Sequence, residues 1–339
     1  MLNKPKKFTF QARFYIVLSL VLIHLLFSLN PNENQVNRGK LRSIETYSDL
    51  ENQSLFNFSI FSDNHGNSPY SNVNMAKANF HIRKTNDICV LGGGDHMMKN
   101  GTNDFLFYIC NDTFWKDNFY PTISDGENIF YGNAQSDWGA GRPFFDAIGM
   151  HNRKNVSFSP EGVDYYAVID APHNFKIHFI SLHFPDEPDN TSLSFKESSK
   201  NFLRECLLRI NKTDHDIIVL EAHSRFGYWL NELRPELFRL VMNKADLVFG
   251  SSTHYYEKFT PEGYASTGPL ILNTGSLVSP RFGANPGFVQ IHVLEQHRGL
   301  FVNFVDVSKP TTILGSSPFA YFRTFSGKIY DIYYQSPVL

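Results

Sequence analysis

The feature that most constrains this chain is an acidic turn that directly follows a mostly apolar run. Residues 56–61 are typical of a short strand, and the sequence Ser-Asp-Asn-His-Gly stands at 62–66. A second apolar run, 88–91, ends in Gly-Gly-Gly-Asp at 92–95. Ligand sites in α/β sheets form outside the carboxyl ends of strands, so two such turns can bring their carboxylates together at one edge of a sheet.

Further strand-like runs end in polar groups of the same chemical kind. Asn133, His223 and His254 each follow such a run, as Asp63 and Asp95 follow theirs. Carboxylates, imidazoles and amide oxygens are ligands for divalent metal ions. The sequence therefore predicts most of a two-metal hydrolytic centre at the edge of a sheet.

The order of the predicted elements favours an α/β sandwich of two mixed sheets over a purely parallel sheet. Early strands alternate with helices, whereas later strands follow one another. The predicted strands are 56–61, 88–91, 128–131, 164–169, 176–182, 216–220, 246–249, 269–272, 287–294 and 300–307. The predicted helices are 75–83, 194–210 and 235–244, and the predicted long loops are 96–127 and 134–162.

The composition indicates a folded domain and limits the class of partner. With 42% apolar and 19% charged residues, most of the chain is expected to fold. The net charge of −2 argues against broad electrostatic binding to nucleic acid. We therefore expect no nucleic-acid partner.

The N-terminus has the layout of a targeting segment, because basic residues precede the uncharged run 14–29 and a polar stretch follows it. We expect 1–29 to be an uncleaved signal anchor that crosses the membrane once, 30–54 a polar linker and 55–339 the globular domain. The domain would then lie outside the cytoplasm, in a periplasmic, extracellular or lumenal space. A cleaved signal peptide has the same layout and would make the domain a secreted protein.

In chain order the motifs are Asp-x-His, Gly-Asp, Gly-Asn, a His after a strand, and Thr-His after another strand. This order resembles the calcineurin-like metallophosphoesterase family, whose pattern is Asp-x-His, Gly-Asp, Gly-Asn-His-Asp/Glu, His and Gly-His-x-His. The likeness runs from about residue 55 to residue 307. It implies an αββα sandwich of two mixed β-sheets flanked by helices. It also implies hydrolysis of phosphoric esters by metal-activated water, with one or two divalent ions of Mn, Fe or Zn.

The resemblance also implies which residues bind the metals. Asp63, His65 and His254 would bind the first metal, and Asp95 would bridge both metals. Asn133 and His223 would bind the second metal. The expected substrate is a phosphorylated small molecule, lipid or glycan. The membrane is a further expected partner, through the N-terminal helix.

Two departures from the family pattern affect the second metal and the leaving group. Ala134 stands where the family has the His of Gly-Asn-His, and Ser252 stands where it has the first His of Gly-His-x-His. The second metal site is therefore incomplete, and protonation of the leaving group must come from elsewhere. The candidates for a compensating role are Arg142, His183 and Arg225, besides His96 next to the bridging position and Asp137.

Three alternatives stay open from the sequence. The chain could be a catalytically degenerate member of the fold that serves as a binding or scaffolding protein at the membrane. It could also be a hydrolase of an envelope glycan or lipid with a site rebuilt around His183. At the level of single residues, Asp63 and His65 could form no more than an Asx turn, and His183 could be a core histidine.

Overall fold

The structure is a computed structural model, and the residues that it describes are 52–63, 69–94, 96, 112–124, 145–146, 148–183, 195–224, 228–254, 256–264, 266–277, 285–296, 298–307 and 320–332. The chain divides into two compact units, Met1–Glu45 and Thr46–Leu339, and every described residue belongs to the second unit. Within the described ranges, no helix is long and apolar enough to cross a membrane. The predicted anchor 1–29 and the predicted strand 128–131 lie outside these ranges.

The described chain alternates short strands with a few helices. The helices are α1 (Pro69–Lys84), α2 (Thr113–Asn118), α3 (Glu197–Arg209), α4 (Tyr228–Asn231) and α5 (Pro235–Lys244). The strands are β1 (Ser54–Phe61), β2 (Val90–Gly92), β3 (Phe119–Pro121), β4 (Val156–Phe158), β5 (Tyr165–Asp170), β6 (Lys176–Leu182), β7 (Asp216–Ala222), β8 (Leu247–Gly250), β9 (Tyr256–Phe259), β10 (Leu270–Thr274), β11 (Gly287–Leu294), β12 (Gly299–Asp306), β13 (Ala320–Thr324) and β14 (Ile329–Ile332).

These strands form two seven-stranded sheets, and both sheets are mixed. The first sheet has the order β14-β13-β12-β11-β1-β2-β3, in which β1, β2 and β3 are parallel and the others pair antiparallel. The second has the order β4-β5-β6-β7-β8-β10-β9, with β6, β7, β8 and β10 parallel. The predicted mixed-sheet sandwich is confirmed.

The hydrophobic core has two parts, one on each face of the second sheet. Residues such as Phe179 and Val219 on one face belong to a buried cluster shared with Phe58 and Ile291 of the first sheet. The other face packs against α3 and α5 in a second cluster. Helix α5 begins with Pro235, whose missing N–H costs nothing in the first turn of a helix.

Most of the predicted elements are confirmed with boundaries shifted by a few residues, but five of the described strands and two of the described helices, α2 and α4, were missed or misassigned. The loop predicted at 134–162 is wrong at β4, which is an edge strand on β5, and the loop predicted at 96–127 is wrong at α2 and β3. Strands β9, β13 and β14 were not predicted. Strands of three to five residues give too little periodicity to be recognised from the sequence.

The topology brings the predicted motifs to one edge of each sheet. Parallel pairing places Phe61, the last residue of β1, beside Gly92, and places Ala222, the last residue of β7, beside Gly250. The backbone N–H of Asp63 then donates to the carbonyl of Gly94 at 3.0 Å. The turns after these four strands therefore meet where the sequence predicted a metal centre.

Candidate metal centre

Asp63 is the best-defined group of the centre. Its side chain is fully buried, and one carboxylate oxygen, Oδ2, is held by two donors. The hydroxyl of Ser62 donates to Oδ2 at 2.6 Å, and the backbone N–H of Ser252 donates to the same oxygen at 3.2 Å. These bonds fix the orientation of the carboxylate and direct its other oxygen, Oδ1, towards His254.

His254 approaches Asp63 directly. Its Nε2 lies 3.2 Å from Oδ1 of Asp63, within the distance of an ion pair. Three of the seven non-glycine residues with positive φ in the described chain lie here: Asp63 (φ 50°), Ser252 (φ 73°) and His254 (φ 62°). Such backbone strain costs about 1–3 kcal/mol per residue and is concentrated at functional sites in proteins.

The electrostatic environment keeps Asp63 ionised. Burial alone would raise the pKa of this carboxyl, but the contact with His254, the charge of His223 and the hydroxyl of Ser62 outweigh burial. The pKa of Asp63 is therefore lowered to about 2. A buried aspartate that stays charged at neutral pH is a suitable metal ligand.

The turn of Asp63 is held by the end of a strand in the other sheet. The hydroxyl of Ser62 lies 2.6 Å from the hydroxyl of Thr274, at the end of β10, and 2.8 Å from the carbonyl of Gly275. The hydroxyl of Ser276 donates to the backbone carbonyl of Asp63 at 2.8 Å. The Thr-Gly-Ser sequence at the end of β10 therefore connects the two sheets at the centre.

His223 is oriented by the glycine turn after β2. Its Nδ1 lies 2.6 Å from the carbonyl oxygen of Gly93 and 2.9 Å from the hydroxyl of Ser251. A carbonyl only accepts, so Nδ1 carries the proton and a metal would bind through Nε2. Metal-binding histidines commonly donate their other ring N–H in this way.

The three consecutive glycines are explained by close packing rather than by a phosphate-binding loop. At Gly94 the backbone has φ 86°, and a Cβ there would lie 2.7 Å from Nδ1 of His223. At Gly93 a Cβ would lie 2.9 Å from Cβ of Ser62. Side chains on this turn would displace the groups of the centre.

Sequence reasoning missed Glu221 and Ser251. Glu221 is fully buried in β7, and its Oε1 accepts a hydrogen bond of 3.1 Å from the Ser251 hydroxyl. Burial raises the pKa of Glu221 to about 8, although His223 and Ser251 act in the opposite direction. The signal that could have revealed it is a charged residue within an otherwise apolar buried strand.

Two of the proposed compensating histidines are packed in the interior. His183 is 3% exposed, and burial, with smaller effects of Lys196 and His223, lowers its pKa to about 4. It is therefore neutral at pH 7, as expected for a core histidine. His96 is fully buried in edge contact with Phe61 and Phe119, and its Nε2 accepts from the backbone N–H of Gly94 at 3.2 Å.

The remaining predicted site positions lie outside the described residues. They are His65, Asp95, Asn133, Ala134, Asp137, Arg142 and Arg225. Their roles stay predictions. Among the described residues alone, no group of three or more His, Cys, Asp or Glu side chains is arranged to hold a metal ion.

The described donors fit a divalent cation of the kind that the resemblance implies. Oδ1 of Asp63 is buried and has no hydrogen-bond partner in the described chain, which is costly for a charged oxygen. An imidazole nitrogen of His254 faces it at 3.2 Å. A carboxylate oxygen and an imidazole nitrogen are ligand types that suit Mn, Fe or Zn, and the described residues supply this pair.

No protein-family model matches the chain, and a search of curated proteins found no match either. Among solved structures, a purple acid phosphatase from yellow lupin (Lupinus luteus) superposes with a TM-score of 0.50 at 16% identity, covering 76% of this chain and 52% of the enzyme. The chain thus matches about half of that enzyme's length. A dimetal phosphatase from Danio rerio matches with a TM-score of 0.49 at 11% identity over 77% of this chain and 99% of its own.

A third similar structure is GAP50, described as the anchor in the inner membrane complex of Plasmodium, with a TM-score of 0.45 at 13% identity over 84% of this chain and 90% of its own. The fold assignment depends on the lupin enzyme, on the sheet order and on the placement of the motifs. With two mixed seven-stranded sheets and the described motifs at the carboxyl ends of their strands, the chain has the calcineurin-like metallophosphoesterase fold.

Proposed function

We propose that this protein is a metal-dependent phosphoesterase with an incomplete second metal site. The observation that carries the proposal is the approach of Asp63 and His254, from different sheets, at the edge where parallel strands end. A buried ionised carboxylate that has an oxygen without a hydrogen bond, and that faces an imidazole, is arranged for a cation rather than for a stable core.

The chain's own residues would bind and orient the metal. Asp63 and His254 would hold the first ion together with the predicted ligand His65, and His223 would contribute to the second. When bound, a divalent cation polarises the phosphoryl group and acidifies a water molecule. Ser62 and Ser252 keep Asp63 in place by occupying its other oxygen.

Substrate preference follows from the missing proton donor. The family's histidine is replaced by Ala134, and His183 is neutral at pH 7 because its pKa is lowered to about 4. A neutral, buried imidazole is a poor source of a proton for a leaving alkoxide. We therefore propose substrates with acidic leaving groups among phosphorylated small molecules, lipids or glycans.

A second candidate function is a binding or scaffolding module that has lost catalysis. The observation that favours it is Ser252, which stands where the family has a histidine ligand. Ser252 contributes its backbone N–H to Oδ2 of Asp63. The position therefore supports the first site and offers at most a weak hydroxyl ligand to the second.

Metal content and hydrolysis together separate the two functions. The full-length protein would be purified in detergent, its metal equivalents counted, and aryl phosphate mono- and diesters assayed with Mn²⁺, Fe²⁺ or Zn²⁺. We expect one to two equivalents and turnover that chelators abolish. H254A should lose both the bound metal and the turnover. The matched variant H178A should keep both, because it breaks a 2.8 Å contact between His178 and Asp216 at the opposite ends of the strands. An absence of turnover with every divalent ion tested would refute the proposed phosphoesterase activity.

We further propose that residues 1–29 anchor the protein in a membrane with the globular unit outside the cytoplasm. The support is the basic-then-apolar layout of this segment. Alkaline carbonate extraction should leave the full-length chain in the membrane pellet, and protease added from the exoplasmic side should digest the domain. A soluble chain that lacks residues 1–29 would instead indicate a cleaved signal peptide.

A further inference from the structure

We propose that Ser251 and Glu221 are positioning residues for His223: they hold its ring in one orientation and tautomer and thereby strengthen its binding of a divalent metal. The first part, the orientation of the ring, stands on the contacts alone. The second part, metal affinity, rests on the proposed metal-dependent function.

The hydroxyl of Ser251 joins three groups around one side of the His223 ring. It lies 2.9 Å from Nδ1 of His223, 2.5 Å from the carbonyl oxygen of Gly93 and 3.1 Å from Oε1 of Glu221. All of these side chains are buried, Glu221 completely. The Nδ1 side of the ring is therefore enclosed by a hydrogen-bond network in which Ser251 is the common member.

The chemistry of the donors determines how the ring is held. The carbonyl of Gly93 can only accept, so it selects the tautomer in which Nδ1 carries the proton. The serine oxygen, with one hydrogen and two lone pairs, can face this N–H while bonding to Glu221 or to the carbonyl. Without the hydroxyl, the ring would lose one of its contacts at Nδ1 and would be held less firmly against the carbonyl of Gly93.

The placement of Glu221 is not explained by stability. It occupies an inward position of β7, where a well-packed apolar side chain would avoid the cost of a buried carboxyl group. Its Oε2 has no hydrogen-bond partner in the described chain. A Cβ at Gly93 would lie 3.0 Å from Oε1 of Glu221 and 3.4 Å from Cβ of Ser251, so the glycine gives both residues room beside the ring. We infer that this costly pair is present because it holds His223.

The ring itself provides a readout that needs neither metal nor substrate. Long-range ¹H–¹⁵N spectra of the metal-free, full-length protein would show the tautomer of His223, assigned with H223Q. At a pH high enough to keep the ring neutral, we expect a single tautomer, protonated at Nδ1, in the wild type and in E221Q, which keeps the hydrogen bond. S251A and E221L should show a second tautomer or ring signals broadened by exchange.

The matched control is S59A, which removes another buried bond from a serine hydroxyl to a carboxyl group, that between Ser59 and Asp87. It should reduce stability but leave the His223 signals unchanged. If S251A and E221L keep the wild-type ring spectrum, whatever their stability, Ser251 and Glu221 do not orient His223 and the proposal is wrong.

Calorimetric titration with Mn²⁺ tests the second part. S251A and E221L should weaken the affinity of the site by about 10-fold, the effect expected for a residue that orients a metal-binding histidine. E221Q and S59A should match the wild type. Equal affinity in all variants would overturn this second part. A wild type that binds no Mn²⁺ would instead contradict the proposed phosphoesterase, and the ring spectra would still decide the first part.

Discussion

Two buried aspartates, Asp63 and Asp87, lie at opposite ends of the same pair of parallel strands and differ in how they are satisfied. Asp87 accepts hydrogen bonds from the hydroxyl of Ser59, from the hydroxyl of Thr85 at 2.6 Å and from the amide of Gln290 at 2.8 Å. All of these donors are neutral. Asp63 has donors on one oxygen only, and its other oxygen faces an imidazole.

The pKa values of the two carboxyls diverge for this reason. Burial raises the pKa of Asp87 to about 6, and its neutral donors offset burial only in part. At Asp63 burial acts in the same direction, but His254 and His223 lower its pKa to about 2. The comparison teaches that burial alone does not set the protonation state of these two carboxyl groups. The charge and completeness of the surrounding contacts do.

The largest expected difference between the two aspartates is in catalysis. If the proposed function is right, D63N should reduce phosphoesterase turnover by about 1000-fold, because it would remove a charged ligand of the proposed metal, worth several kcal/mol in the transition state. D87N, the same change at the other strand ends, should leave turnover unchanged. Kinetics with an aryl phosphate in the presence of Mn²⁺ measure both. Equal losses in the two variants would break the distinction drawn here.

The second prediction concerns stability and pH at Asp87. The pKa of Asp87 in the folded state, about 6, lies above the ordinary value of 3.8, so folding favours the protonated form of this carboxyl group. The contribution of Asp87 is therefore complete below pH 3.8 and is lost as the pH rises through 6. Relative to the wild type, D87N should gain about 3 kcal/mol in unfolding free energy between pH 4 and pH 8. Urea titrations in a chelating buffer would measure it.

A difference between D87N and the wild type that stays constant across this pH range would contradict the prediction. It would mean that the three donors keep Asp87 ionised in the fold. The two aspartates would then differ in their neighbours but not in their protonation at neutral pH.

The third prediction tests how tightly the strand ends near Asp63 are packed. G94A should cost about 2–3 kcal/mol of stability and impair metal binding, since it combines a left-handed backbone with a Cβ at 2.7 Å from His223. G149A has a similar φ of 72° with nothing within 4 Å, and should cost about 1 kcal/mol from the backbone alone. Thermal denaturation and Mn²⁺ titration measure the two effects. Equal costs would show that the turn has room for a side chain.

The smallest expected effects come from the serines beside each aspartate. S59A should lower stability by about 1 kcal/mol, the net value of a buried hydrogen bond, without changing turnover. S62A removes the 2.6 Å bond to Oδ2 of Asp63 and should lower turnover as well as stability. Parallel denaturation and activity measurements would sharpen the comparison. A loss of turnover in S59A would show that the two strand ends are coupled.

The sequence predicted those helices and strands in which the hydrophobic pattern and the length of the segment indicate the same type of element. Strand β1, the hairpin of β5 and β6, and helix α5 have strong periodicity or good end signals, and their predictions are confirmed. Strands β3, β4 and β9 are too short to carry a period, and each is a strand only because a neighbour pairs with it. Pairing with a neighbouring strand depends on backbone contacts that the hydrophobic pattern of a three- or four-residue segment does not contain.

The same division applies to the site. Asp63, His223 and His254 were predicted because each follows a strand-like run, and the structure brings Asp63 and His254 together and places His223 against the adjoining glycine turn. Ser251 and Glu221 were missed, since neither type of residue in isolation indicates a metal centre. Their role depends on the Gly93 carbonyl, which is brought to them by a strand of the other sheet.

The sequence by itself determined which predicted strand ends carry carboxylate, imidazole or amide side chains and in what order, because side-chain types and strand signals are local properties. It also determined that Ala134 and Ser252 stand at two positions where the family that this chain resembles has histidines. Only the tertiary structure decided that Asp63 meets His254 at 3.2 Å and that His223 donates to Gly93. The physical reason is that sheet order and register, set by packing over the whole domain, place atoms that are distant in the chain side by side.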